Sequence, residues 1–152
     1  MPPVLTYQDV PPFRPNCTGG FVVKVVDGDT VHIAFPDHDG NLVRICCRLM
    51  GLDTAEIHSR DPVERRAAQC GKQHLETLTQ QNEPLHVRLE PRADKYGRWL
   101  ATLTRVSDSL DLNMEMLQTW AVPYDGKTKP STDWAEKLRA NGEPVPETAR
   151  VS

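Results

Sequence analysis

The chain has 152 residues, a mass of 17.1 kDa, a formal net charge of −3 and a pI near 5.9, with 38% hydrophobic and 26% charged residues. That length encloses one hydrophobic core and not two of full size, and no apolar run approaches the length of a bilayer span. An acidic chain does not coat nucleic acid through bulk charge, so any phosphate binding has to be local.

The opening MPPVLTYQDVPPFRPNC lacks the basic start and apolar segment of a secretory signal, which points to an intracellular location. Residues 1–18 read as a proline-rich N-terminal arm, 19–142 as the folded domain, and 143–152 (EPVPETARVS) as a flexible tail. FVVKVV (21–26) is the first expected strand, the turn Asp27-Gly28-Asp29-Thr30 follows, and VHIAF (31–35) is the second. After the Asp39-Gly40 reversal comes a long third strand, 42–52. Its alternation places Val43, Ile45, Cys47 and Leu49 on one face and Arg44, Cys46, Arg48 and Met50 on the other, so Cys47 points into the core. Cys17, Cys46, Cys47 and Cys70 have no CxxC spacing and read as reduced structural thiols.

A helix is expected from 62 to about 80. Asp61 is a good N-cap, Pro62 suits the first turn, and Glu64 gives a capping-box-like spacing. Its apolar stripe is Val63, Ala67, Cys70, His74, Leu75 and Leu78. LHVRLE (85–90) and WLATLTRV (99–106) are strands four and five, joined by a loop containing Asp94-Lys95-Tyr96-Gly97-Arg98. Two further helices are expected, at 111–122 and from about 132 to 140, the last one stopped by Gly142. Three strands, a helix, two strands and two helices do not alternate as a parallel sheet does. The order fits an α+β, mainly β fold: a five-stranded OB barrel with about three helices, whose ligands bind at strands two and three and at the one-two and four-five loops.

The chemistry-bearing residues collect at that mouth. Asp29 and Asp53 offer hard anionic oxygens of the kind Ca²⁺ prefers. Glu56, three residues beyond Asp53, is free to take a proton from water. Arg48 and Arg98 carry planar forks that match phosphate oxygens and neutralise charge in a pentavalent transition state. Singly, each has a bland reading: a turn-capping Asp, a surface Arg, a charged hairpin loop. His58 reads as a solvated loop histidine, His74 as a partly buried structural one, and Trp99, Trp120 and Trp134 as core or helix-docking residues. Tyr96 has the alternative of packing on Trp99.

The three segments VVDGDTV, RLMGLDTAE and DKYGR resemble those of the staphylococcal nuclease (thermonuclease) family, in the same order and with matching internal spacing over about residues 20–140. Arg48 lies five residues before Asp53, as that family's motif requires, which selects it over Arg44. The resemblance implies that Asp29 and Asp53 ligate Ca²⁺ through carboxylates and Thr54 through its backbone carbonyl. It further implies that Glu56 is the general base, that Arg48 and Arg98 hold the phosphate, and that Lys95 and Tyr96 contact a neighbouring phosphate. The implied activity is calcium-dependent hydrolysis of DNA and RNA by a metal-positioned water, leaving 3′-phosphate and 5′-hydroxyl ends. Separately, the chain is expected to be a monomer with no membrane partner. Departures from the family are Ala55 in place of a common proline, an extended connection through Pro36 to Gly40, a shorter helical C-terminus and the acidic net charge. Tyr124 is a candidate for one of the family's active-site tyrosines. The competing expectation is a noncatalytic OB module binding nucleic acid or a protein partner, and a third is an interaction protein using the N-terminal arm. Against the former, three retained acids would repel an anionic ligand without a metal or catalytic role.

Overall fold

In the computed structural model, residues 3–147 are described, and the last part of the expected tail (148–152) lies outside them. β1 (Gly19–Asp27), β2 (Thr30–Pro36) and β3 (Leu42–Leu49) form an antiparallel meander, and β4 (Leu52–Asp53) is a short extension beyond it. Then come α1 (Pro62–Leu78), β5 (Leu85–Ala93), β6 (Trp99–Arg105), α2 (Leu112–Thr119), β7 (Val122–Pro123) and α3 (Trp134–Ala140). β1, β2, β3, β6 and β5 close into a five-stranded barrel in that order, with β3 and β6 parallel. This is the OB-like α+β barrel expected from the element order. The barrel closes through short seams, β1 meeting β5 at Gly19 and Gly20 and β3 meeting β6 over Cys47–Leu49.

Alternation dictates the lining. Leu85, Val87 and Leu89 of β5 and Val31, Ile33 and Phe35 of β2 are buried, as are Cys47 and Leu49 of β3. The barrel is tight enough that a Cβ on Gly20 would lie 2.4 Å from the Ala34 carbonyl oxygen. α1 covers one end, burying Val63, Ala67, Cys70, Leu75 and Leu78. Gly71 lets Trp120, at the C-terminal end of α2, approach α1 closely, its absent Cβ falling 3.3 Å from that of Trp120. Trp120 is buried, and Trp99 and Trp134 pack against the core. Burial pushes the Cys17 thiol up to about 11 and the Cys47 thiol up to about 12, and all four cysteines are free. No helix of the described residues is long and apolar enough to cross a membrane.

Four local expectations change. The single long strand over 42–52 breaks at Met50-Gly51, where Gly51 takes φ +85°. Buried Asn113 stabilises the break: its amide donates to the carbonyls of Met50 and Ala101 at 3.0 Å, and its oxygen accepts from Leu103 N–H. Asp61 caps α1 through Val63 N–H at 2.9 Å, but no capping box forms, because the Glu64 carboxylate turns away to Ser59 and to the Glu56 N–H. His74 leaves the buried stripe and meets Glu115 of α2 at 3.0 Å, while Gly71 takes a place on the buried face. α2 and α3 are each shorter than expected, with Asp111 and Asp133 as caps.

Candidate active site

β2 and β3 pair so that Thr30 lies opposite Arg48. The β1–β2 turn and the end of β3 therefore meet at the barrel mouth, and Leu49 N–H donates to the Asp29 carbonyl at 2.8 Å. The Gly51 turn then brings the chain back, so β4 presents Asp53 beside Arg48, held by pairing with Val122. Arg48 Nη2 reaches three acceptors: Leu52 O at 3.3 Å, Asp53 Oδ1 at 3.2 Å and Asp29 Oδ2 at 3.4 Å. Thr30 Oγ1 donates to Asp29 Oδ1 at 2.8 Å and accepts from Arg98 Nη1 at 3.4 Å. Arg98 Nε in turn donates to Asp94 Oδ2 at 2.8 Å. One polar chain, Asp94–Arg98–Thr30–Asp29–Arg48–Asp53, thus links segments distant in sequence.

Asp94, Arg98, Arg48 and Asp53 of this polar chain line a cleft of about 850 Å³ at the barrel mouth. Arg48, Asp53, Glu56, Lys95, Tyr96 and Arg98 all line it. Asp29 and Thr54 sit behind this lining and are buried. Thr54 packs over the β1–β2 turn, its Cγ2 lying 3.1 Å from where a Gly28 Cβ would be. Glu56 is exposed, and among the described residues its carboxylate has no hydrogen-bond or ion-pair partner, while its N–H donates to Glu64 Oε1 at 3.3 Å. Ala55 is buried in the core, so packing restrains the loop where a proline is absent. Tyr96 is exposed at the cleft, and its ring carries Lys95 Nζ at 5.1 Å and Arg98 Cζ at 5.4 Å. His58 is exposed and stands outside the cleft lining.

The acids are held unequally. Burial works against the charge of Asp29, but the hydrogen bond from Asp27, the Arg48 guanidinium and the Thr30 hydroxyl overcome it and hold its carboxyl below the usual range. Asp27 is pushed up to about 7, first by burial and then by its hydrogen bond to Asp29 and the charge of Asp29 and Glu56. Asp94 is buried enough to raise its carboxyl, yet the N–H groups of Arg98 and Tyr96 and the Arg98 side chain bring it below the usual range.

Asp53 Oδ2 is buried without a hydrogen-bond partner. An orphaned carboxylate oxygen in a native structure is met by a water or an ion. Together with ionised Asp29 it forms a donor set suited to a hard cation whose remaining positions are filled by carbonyls and water. Among the described residues no three His, Cys, Asp or Glu side chains are grouped as a metal site by themselves.

Sequence reasoning missed five contributors. Asp27 stands in a turn, where two acids flanking one glycine are a signal of electrostatic coupling. Asp94, in the four-five loop, orients Arg98. Glu64 leaves its expected place in a cap for Ser59. Lys127 and Lys129 line the cleft from a segment with no periodicity to flag it. Tyr124 does line the cleft, with the Arg48 guanidinium 5.5 Å from its ring centre.

No family model matches the chain. It is similar to an uncharacterized protein of Methanocaldococcus jannaschii, 33% identical over 119 residues, covering 65% of this chain and 55% of that protein. The chain thus spans a little over half the length of that relative.

Proposed function

We propose that this protein is a calcium-dependent phosphodiesterase of the staphylococcal nuclease type, acting on DNA or RNA and leaving 3′-phosphate and 5′-hydroxyl ends. The observation that carries this reading is the convergence, in one cleft, of two arginines, two buried carboxylates and one exposed carboxylate with no partner. The orphaned Asp53 oxygen and ionised Asp29 fit Ca²⁺, with the Thr54 carbonyl as a third candidate ligand. When bound, Ca²⁺ supplies a Lewis acid that polarises the phosphoryl group.

The chain's own residues supply the rest. Arg48 and Arg98, each already oriented by a carboxylate, present N–H donors to the phosphate oxygens and oppose the negative charge that grows as phosphorus becomes pentavalent. Glu56 takes the proton of the attacking water as the P–O bond forms, and the 5′ oxygen departs with its electron pair and picks up a proton from solvent. Lys95 and Tyr96, on the four-five loop, hold a neighbouring phosphate of the same strand.

The test is digestion of single-stranded DNA and of RNA with Ca²⁺, with Mg²⁺ and with chelator. Glu56→Gln serves as the contamination control, because its side chain is exposed and, among the described residues, its carboxylate makes no hydrogen bond or ion pair. Cleavage that needs Ca²⁺ and is lost in Glu56→Gln supports the reading. Silence under all three conditions with oligonucleotide binding retained overturns it in favour of a noncatalytic module.

A further inference from the structure

Two cations of the cleft have no task in the chemistry above. Lys127 and Lys129 are exposed and line the same cleft as Arg48 and Arg98. Among the described residues neither makes an ion pair. On a chain of net charge −3, unpaired lysines at this one opening concentrate positive potential where the bulk charge opposes it.

Their backbone is held in place. Tyr124 N–H donates to Gly51 O at 3.0 Å, and its ring lies against the Arg48 guanidinium. Asp125 Oδ1 then accepts from Lys127 N–H at 2.8 Å and Thr128 N–H at 3.1 Å, and the segment ends at Asp133, which caps α3. The turn is therefore tied at both ends while the amines stay free, an arrangement suited to a phosphate whose position varies. The centre is flanked by two loops in parallel fashion: Tyr96 meets Arg98 from the loop carrying Lys95, and Tyr124 meets Arg48 from the segment carrying Lys127 and Lys129.

We infer that Lys127 and Lys129 form a second flanking-phosphate subsite, so that the substrate is a single-stranded polynucleotide engaging the cleft on both sides of the cleaved bond. This rests on the nuclease reading above. A flexible single strand can bring successive phosphates to both loops at once, while the side chains of Arg48 and Asp53 between them are only 15% and 9% exposed.

The experiment pairs wild type with Lys127→Ala/Lys129→Ala on two substrates, a labelled 12-nucleotide single strand and a dinucleotide with one phosphodiester. In Ca²⁺, the variant's KM for the 12-mer rises about tenfold relative to its change on the dinucleotide, with kcat within about twofold, as loss of positioning contacts predicts. In chelator, anisotropy against salt gives a log–log binding slope shallower by about 1.4, roughly 0.7 per lysine. Lys127→Arg/Lys129→Arg restores both. An unchanged slope and KM overturns the inference, and so does an equal loss on both substrates. If wild type cleaves neither substrate but the slope still falls, the nuclease reading fails while the phosphate subsite stands.

Discussion

At the floor of the cleft and just behind it, Arg48, Asp53 and Asp29 are almost out of solvent and each is held by at least one of the others. At the rim, Glu56, Lys95, Tyr96, Lys127 and Lys129 are exposed, and what holds them is their backbone: an N–H to Glu64, an Asx turn on Asp94, another on Asp125. The two regions therefore carry different physical burdens. A floor residue has been desolvated, and its charge is tolerable only because a partner faces it. A rim residue was never desolvated and adds little to folding. Floor substitutions should change stability and activity together, and rim substitutions activity alone.

The largest effect expected is that of Arg48→Ala. It leaves two nearly buried carboxylates facing one another, a loss of about 3 kcal/mol in urea unfolding, and it abolishes cleavage by removing a phosphate donor. If unfolding of Arg48→Ala matched wild type, the floor would hold no more folding energy than the rim, and the distinction would collapse. Glu56→Gln is the converse case. Turnover should fall by about 10²- to 10⁴-fold, with oligonucleotide affinity kept and stability within about 0.5 kcal/mol of wild type.

Asp27 extends the floor and gives it a pH dependence. Its folded pKa, about 7, lies above the ordinary 3.8 of the carboxyl. The folded state thus holds a proton that the unfolded chain has already released, and the stabilisation it contributes is complete below about pH 4 and lost as pH rises through about 7. Asp29, lowered, has the opposite slope and contributes above its unfolded value. Its share is in place before the Asp27 loss is finished. Between about pH 5 and 7.5, in chelator, melting should fall by the equivalent of a few kcal/mol at most. Asp27→Asn, which keeps the shape and cannot ionise, should flatten that fall. A wild-type profile already flat across this window would remove Asp27 from the floor.

The same division marks what was legible in the residues themselves. Alternation in Leu85, Val87 and Leu89 and in Cys47 and Leu49 gave the barrel lining, because a two-residue period has only one way to face a closed core. The order of elements then brought Asp29, Arg48, Asp53 and Arg98 to one mouth, which the polar chain through Thr30 joins. What stayed hidden depends on contacts made across long separations. The break at Gly51 needs Asn113, 63 residues from Met50. Glu64 is an ordinary first-turn acid until the chain folds and Ser59 offers a better partner. Lys127 lies in a segment whose pattern is only turn-forming, and its place at the cleft follows from Tyr124 meeting Gly51 and Arg48.

Glu64 tests the boundary between the two regions with the smallest effect. It accepts from Ser59 Oγ at 2.7 Å and from the Glu56 N–H at 3.3 Å, and it lies in the first turn of α1, where a negative charge is favourable. Glu64→Gln removes that charge and leaves one good acceptor where there were two. Stability should fall by less than about 1 kcal/mol. Turnover should fall by about fivefold with KM unchanged, as expected when a catalytic carboxylate is left less well positioned. Ser59→Ala should produce part of the same loss, and the double variant Ser59→Ala/Glu64→Gln should lose less than the sum, since both act on one loop. Additive losses would mean that Glu64 acts through α1 alone. Sub-additive losses would make it the point at which the ordered interior sets the position of an otherwise unconstrained rim carboxylate.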